Sequence, residues 1–226
     1  MYQQHELNRQ KEEFEEQKKQ QERQQFENTY FNMLNLLNEI VKSLVTEDGQ
    51  GQVTFRIYKK DRLGIKYKLG DVKDILYANA SREQRVGIMT LVINALHLEQ
   101  YFRIIYTTLK LIEESKLVYK DKKRYSNILR AQLSNDELFF LGYNCIMDDC
   151  DFLPFKMLLE KYTFLKHLPT DERVSLIQQD NDDDISFYHL RAFDKTHKFS
   201  KDYLEKVDNN FKELGIDDFI DYEEIQ

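Results

Sequence analysis

The segment that decides the fold is residues 98–112, which read LEQYFRIIYTTLKLI. Its apolar side chains recur at steps of three and four residues, the spacing that places them on one face of an α-helix. That face is formed by Leu98, Tyr101, Phe102, Ile105, Leu109 and Ile112. We therefore predict a largely buried helix here, within a helical segment that covers residues 82–117.

The rest of the chain also favours helices over strands. Two prolines and seven glycines are few for 226 residues, whereas Leu, Glu, Lys and Gln are plentiful. An apolar stripe from Phe26 to Leu44 predicts that a polar helix over residues 1–28 continues into the first helix of the core. The predicted fold class is all-α: a mainly helical bundle with a long N-terminal helix.

Two local signals mark further helix boundaries. Ser134 and Glu137 have the spacing of a capping box, in which each side chain binds the other residue's backbone amide at the start of a helix. Pro154 and Pro169 lie near the start and the end of an apolar stretch, which predicts a helix over residues 151–168.

Residues 53–69 do not decide between a helix and a strand. Val53, Phe55 and Ile57 alternate with polar residues, as in a strand, but Phe55 and Tyr58 also share a helical face. A short hairpin around 53–69 therefore stays an alternative to a helix at this point.

Charge divides the chain into three regions. The net charge is −7, but residues 171–226 alone carry seven basic and sixteen acidic groups, whereas residues 29–170 have a balance of +4. Residues 1–28 are polar, with Leu7 and Phe14 one heptad apart. We predict a polar helical extension or coiled-coil stalk, then a helical domain, then an acidic helical region at the C-terminal end.

The cysteines and the hydropathy limit the cellular setting. Cys145 and Cys150 offer no disulfide framework, and no stretch approaches the roughly 20 apolar residues needed to cross a bilayer. We expect a cytoplasmic protein with no membrane span in this chain. A zinc site at these cysteines lacks a second Cys or His pair, and the acidic run 180–184 lacks the glycine of a calcium loop. No metal and no cofactor is predicted.

Three stretches of the chain resemble the phage abortive-infection family of the AbiC type. They are YFRIIY at 101–106 with LKLI at 109–112, ILRAQLSNDEL at 128–138 with GYN at 142–144, and FK at 155–156 with LEKY at 159–162 and LK at 165–166. LNEIV at 37–41 also resembles the family's opening helix. The resemblance implies a helical domain that bacteria use against phage, without an assigned chemistry.

The resemblance has three further implications. It favours a helix over residues 53–60. Many relatives carry transmembrane helices ahead of a polar helical segment, so it implies membrane association if upstream segments exist. Family members often have His near the position of Thr107, and the threonine here argues against a catalytic role for that helix.

Basic side chains between residues 103 and 130 form the first group of candidate binding residues. Arg103, Thr107 and Lys110 share one helical face, and this segment carries eight Lys/Arg against three Asp/Glu. A phosphate backbone, a phage component or the acidic tail could dock there, so nucleic acid is an alternative partner.

A second group surrounds the capping box. Arg130, Tyr143 and Asn144 need polar partners if they lie beside an apolar helix. With the residues that the resemblance adds, the group comprises Arg130, Gln132, Glu137, Tyr143, Asn144 and Lys161. A structural hydrogen-bond network at the helix junction is the alternative to a functional site.

Three functions are consistent with the sequence. The first is an anti-phage defence module that binds a phage or host protein component and self-associates through residues 1–46. The second is a metal-independent ribonuclease of the HEPN type, in which Arg191 stabilises charge on phosphate and His197 transfers the proton. The third is the cytosolic part of a membrane-directed defence toxin. We prefer binding to catalysis and assign no catalytic residue.

Overall fold

Helices account for 79% of the residues that the computed structural model describes. The described residues are 2–46, 49–57, 87, 90, 93–94, 96–145, 153–169, 176, 188–193 and 205. The helices are α1 (Tyr2–Ser43), α2 (Gln52–Ile57), α3 (Glu99–Glu114), α4 (Tyr119–Ala131), α5 (Asn135–Asn144) and α6 (Leu153–Lys161), and a 3₁₀ turn covers Leu190–Ala192. The predicted all-α class is confirmed.

The first helix is 42 residues long and has two different halves. At 1.5 Å per residue it extends about 63 Å. Every residue from Leu7 to Gln21 is exposed, whereas Tyr30, Leu37 and Val41 are buried. The buried half packs against α3. The polar extension therefore continues into the core as one unbroken helix, as the sequence predicts.

Two short strands follow α1 and lead into α2. Strands β1 (Val45–Thr46) and β2 (Gly49–Gln50) form a two-residue antiparallel ladder, and Gly51 then takes a φ of 67°. The Phe55 side chain in α2 is fully buried, with its ring 5.1 Å from that of Tyr101. The strand alternative is wrong for residues 52–57, because the helical turn is what brings Phe55 into the core. Residues 58–69 lie outside the described part of the chain.

The helix predicted over 82–117 is interrupted just before α3. His97 has a positive φ of 52°, and the Leu98 N–H donates to the Ile93 carbonyl oxygen at 3.1 Å. This six-residue hydrogen bond around a left-handed residue is the Schellman motif, which ends helices. The central helix then restarts at Glu99, and its buried side chains match the predicted stripe.

The last two helices begin and end by different means. Ser134 Oγ accepts a hydrogen bond from the Glu137 N–H at 3.2 Å, and Glu137 Oε2 accepts from the Ser134 N–H at 2.8 Å, so the predicted capping box is confirmed. Helix α6 ends at Lys161 rather than near Leu168. There a second Schellman motif places Thr163 at a φ of 52°. The apolar pattern continues beyond this point because the following turn is buried too.

The left-handed His97 offers a test of the helix end. His97→Gly should raise the free energy of unfolding by about 1 kcal/mol, because the left-handed conformation costs an L-residue about 1–2 kcal/mol and the greater freedom of glycine in the unfolded chain offsets part of that gain. The imidazole is exposed, so little packing is lost. Urea denaturation measures the change. His97→Ala keeps the backbone strain and is the matched control; equal stability of the two variants would contradict this account.

Candidate functional site

Six charged or amide side chains of the stretches that carry the resemblance are buried. They are Arg130, Glu137, Asn144, Lys156, Glu160 and Lys161. Charged side chains are rarely buried unless they have partners. Their surroundings therefore decide whether this region is a reactive site or a structural network.

The first cluster surrounds the C-terminal end of α6. The Arg130 guanidinium donates to the Thr163 carbonyl oxygen at 2.9 Å. Lys123 Nζ donates to the Tyr162 carbonyl oxygen and, at 3.0 Å, to Thr163 Oγ1. These two carbonyls belong to the buried turn that follows α6, near the negative end of the helix dipole. Two cations of α4 thus satisfy groups that would otherwise be buried without hydrogen bonds.

A carboxylate from α3 completes this cluster, which we call the α6-end cluster. Glu113 accepts a hydrogen bond from Lys161 Nζ at 2.7 Å and another from the Tyr162 hydroxyl at 2.5 Å. The Glu113 carbonyl oxygen accepts from Lys122 Nζ at 2.8 Å. The cluster therefore joins α3, α4 and the end of α6 through side chains that lie far apart in the sequence.

The second cluster is the capping box itself. Glu137 is fully buried, and its Oε1 accepts a hydrogen bond from the Tyr101 hydroxyl at 3.2 Å. Its other oxygen binds the Ser134 amide and hydroxyl. Burial raises the pKa of the Glu137 carboxyl above its usual range, against the opposing effect of these hydrogen bonds. Glu137 therefore connects the start of α5 to α3.

The third cluster lies between α6 and the 188–193 segment. Lys156 and Glu160 form an ion pair at 4.0 Å, with side chains only 2% and 0% exposed. Glu160 Oε1 accepts a hydrogen bond from the His189 N–H at 2.8 Å, and Lys156 Nζ lies 6.0 Å from the centre of the Tyr188 ring. We call this group the Lys156 cluster. It fastens the later segment of the chain to the most deeply buried helix.

Cys145 adjoins the Lys156 cluster and is also buried. Burial raises the pKa of its thiol to about 12. A thiol needs to be deprotonated to act as a nucleophile or a metal ligand. At neutral pH this cysteine is therefore a protonated core residue. Among the residues that the structure describes, no group of three or more His, Cys, Asp or Glu side chains has a metal-binding arrangement.

The remaining candidates do not converge on these clusters. Arg103 and Gln132 are exposed, and Lys110 pairs with Glu114 at 3.6 Å. The Tyr143 ring is buried 4.8 Å from that of Phe139. Candidates predicted together are thus divided between the surface and the core.

The structure describes only one of the two residues of the ribonuclease hypothesis. Arg191 is buried in the 3₁₀ turn beside α6, and its N–H donates to His189 Nδ1 at 3.0 Å. His197 lies outside the described residues. The geometry of this pair is therefore untested.

The basic segment 103–130 is largely engaged in contacts within the protein. Five of its cations bind other groups: Lys110, Lys116, Lys122, Lys123 and Arg130. Lys116, for example, donates to Glu22 of α1 at 2.8 Å. Arg103, Lys120 and Arg124 are exposed. The exposed basic surface is therefore smaller than the net charge of the segment suggests.

Several members of these clusters were not predicted from the sequence. Lys156 and Glu160 are four residues apart in an otherwise apolar stretch, a spacing that can signal an ion pair on a helix. Glu113 and Lys123 carry no such signal, because their partners come from other helices. Arg130 was expected to need a polar partner, and the Thr163 carbonyl oxygen is that partner.

A comparison with known protein families supports the resemblance. Residues 94–173 match the family model described as "Putative phage abortive infection protein". This segment is less than half of the chain, but it contains α3 to α6 and most of the buried charged residues. No curated protein and no solved structure matches the chain. Over these residues the chain is therefore similar to phage abortive-infection proteins.

None of the described helices combines the length and the apolar character needed to cross a bilayer. Helix α1 has the length, but its first half is dominated by charged and amide side chains.

The buried ion pair of the Lys156 cluster allows a stability test. Lys156→Met should lower the free energy of unfolding by about 3–5 kcal/mol, because it leaves the Glu160 carboxylate in the core without this counter-charge. Adding Glu160→Gln should restore part of the loss, since the amide oxygen can still accept from His189. Lys110→Met, which removes the exposed pair with Glu114, is the control and should change stability by less than about 1 kcal/mol. Denaturant titration measures all three; equal effects of Lys156→Met and Lys110→Met would contradict the assignment.

The raised pKa of Glu137 predicts a pH dependence. A carboxyl whose pKa is raised by folding contributes most below its unfolded pKa of roughly 4.3, and the contribution falls as pH rises through the folded pKa. Glu137→Gln keeps a capping-box side chain but cannot ionise. The stability of the wild type relative to this variant should therefore decline from pH 4 upward. Parallel pH profiles of the two proteins in urea denaturation would argue against a raised pKa.

Proposed function

We propose that this protein protects bacteria against phage in the cytoplasm by binding a phage or host protein component through its helical domain. The observation that carries the defence role is the family match over residues 94–173. That segment holds the central helix, the capping box and α6, so the matched part has a defined architecture.

Binding is preferred to catalysis because of where the charged groups lie. Arg130, Glu137 and Lys161 are buried, and each is hydrogen-bonded to another part of the domain. A general acid, base or nucleophile has to reach the substrate. These side chains instead stabilise helix ends, which supports a structural role for the most specific part of the resemblance.

The surface available to a partner includes the outward face of α3. Arg103 and Thr107 are exposed there, and Lys110 is half-buried on the same face. Arg124 of α4 is exposed as well. Groups of this kind suit a partner with an acidic patch, since complementary charge increases the association rate and selects the partner. A nucleic acid is the alternative occupant, and its affinity would fall steeply with salt.

A plaquing assay with the intact gene tests this proposal. Expression should reduce plaque formation, and Arg103→Glu or Arg124→Glu should diminish protection because each places an acidic group opposite an acidic partner. Lys42→Glu makes the same charge change on the exposed side of α1 and is the matched control. Thermal denaturation verifies that all variants fold.

Two results would count against the proposal. Absence of plaque reduction by the wild type would refute the defence role. Loss of protection on His197→Ala, with Arg103→Glu unaffected, would favour the ribonuclease, because binding through α3 does not involve His197.

A further inference from the structure

The exposed half of α1 carries two large apolar side chains in water. Leu7 is 60% exposed and Phe14 is 65% exposed, and they lie two helical turns apart on the same face. Within the described part of the chain, the first ion pairs between α1 and the domain are those of Glu22 with Lys116 and of Arg23 with Asp121. The helix therefore leaves the domain at about Glu22 and presents Leu7 and Phe14 beyond it.

A groove lies where α1 leaves the domain. It has a volume of about 860 Å³ and is bounded by α1 residues 15–29 on one side and by the turn between α3 and α4 on the other. Its lining combines charged and polar side chains with four apolar ones: Phe26, Leu111, Leu117 and Val118. Val118 is 66% exposed, so the apolar lining is open to solvent. This is a recess of suitable character for large apolar side chains such as Leu7 and Phe14.

The sequence of α1 is self-complementary along the face that borders this groove. At steps of four, four, three, four and four residues, that face presents Leu7, Lys11, Glu15, Lys18, Glu22 and Phe26. The order is apolar, basic, acidic, basic, acidic, apolar. When this order is reversed, every basic position becomes acidic and every acidic position becomes basic. The two apolar ends stay apolar. A second, antiparallel copy of the same helix therefore complements these six positions, and Phe14, on the same face, comes to lie across from Lys19.

We propose that two copies of this chain pair through α1 in antiparallel orientation, with Leu7 and Phe14 of each copy placed in the groove of the other. The twofold axis passes between Glu16 and Gln17. In this register Leu7 lies across from Phe26 of the second copy, Lys11 across from Glu22, and Glu15 across from Lys18, and each contact occurs twice.

The proposed pairing covers Leu7, Phe14 and the groove, which the single chain leaves exposed. The two helices overlap over residues 5–28, about 36 Å of helix, which is the segment that lines the groove together with its exposed continuation. The interface has apolar contacts at its two ends, charged pairs between them, and the Phe14 ring beside Lys19 of the other copy. The proposed pairing goes beyond the proposed defence function and does not depend on it, because it involves only α1 and the turn that faces it.

Solution mass as a function of concentration is the first test. The full chain should sediment as a dimer in analytical ultracentrifugation. Leu7→Glu with Phe14→Glu should weaken dimerisation at least about a hundredfold, because burial of two large apolar side chains per copy is lost. Gln20→Glu with Gln24→Glu adds the same charge at exposed α1 positions that do not line the groove, and it should leave the dimer intact. A monomer at all concentrations, or equal effects of the two double variants, would overturn the proposal.

A charge exchange tests the register. Glu15→Lys alone and Lys18→Glu alone each create like-charge contacts across the axis, so each should weaken its own dimer by roughly two- to fivefold or more. Mixing the two variants should restore dimerisation as a heterodimer, because opposite charges then face each other at both positions. If the mixed variants dimerise no more tightly than either variant alone, the register is refuted.

Orientation requires a distance measurement. A spin label on Gln10→Cys, in a Cys145→Ser/Cys150→Ser background, should give a distance between copies of about 20 Å along the helix axis for the antiparallel register. A parallel pair would give roughly 10 Å, the usual separation of packed helices. The shorter distance would overturn the antiparallel arrangement, even if the protein is dimeric.

Discussion

The hydrogen bonds at the C-terminal end of α6 are the constraint on which the rest of the domain depends. Helix α6 and the turn that follows it are buried, so the Tyr162 and Thr163 carbonyls of that turn need hydrogen-bond donors from within the protein. Lys123 and Arg130 supply the missing donors, and both extend from α4. Helix α4 is therefore held beside the end of α6. The Glu113 carboxylate then balances the charge of Lys161 and fixes the end of α3 at the same point.

The same constraint determines where function can be located. Charges that balance one another inside a low-dielectric core are costly to disturb, because removal of one partner leaves the other unpaired. The stretch most similar to abortive-infection proteins is thus, in large part, the set of groups that hold α3, α4, α5 and α6 together. In the proposed function, recognition of a partner falls to the outward faces of α3 and α4. The resemblance covers the buried clusters, whereas the proposed recognition face consists of exposed side chains outside them.

Local signals in the sequence predicted the local structure well. The capping box depends on residues three apart, and the stripe of α3 depends on helical periodicity, so both can be identified without the fold. The helix break at His97 could not be predicted, because a histidine does not indicate a left-handed conformation as a glycine would. The end of α6 was also obscured, since apolar residues continue through the buried turn after Lys161. The partners of Arg130 and Lys161 lie 33 and 48 residues away, and such distances are set by packing.

The two halves of α1 differ in what makes them helical. The second half is stabilised by burial of Tyr30, Leu37 and Val41, whereas the first half extends a helix whose costly nucleation has already occurred in the second. Helical order in the first half keeps Leu7 and Phe14 aligned on one face. If a second copy occupies the groove, a phage or host component that binds there has to displace it. Self-association and partner binding would then oppose each other by the same factor, because coupling between two binding equilibria is reciprocal.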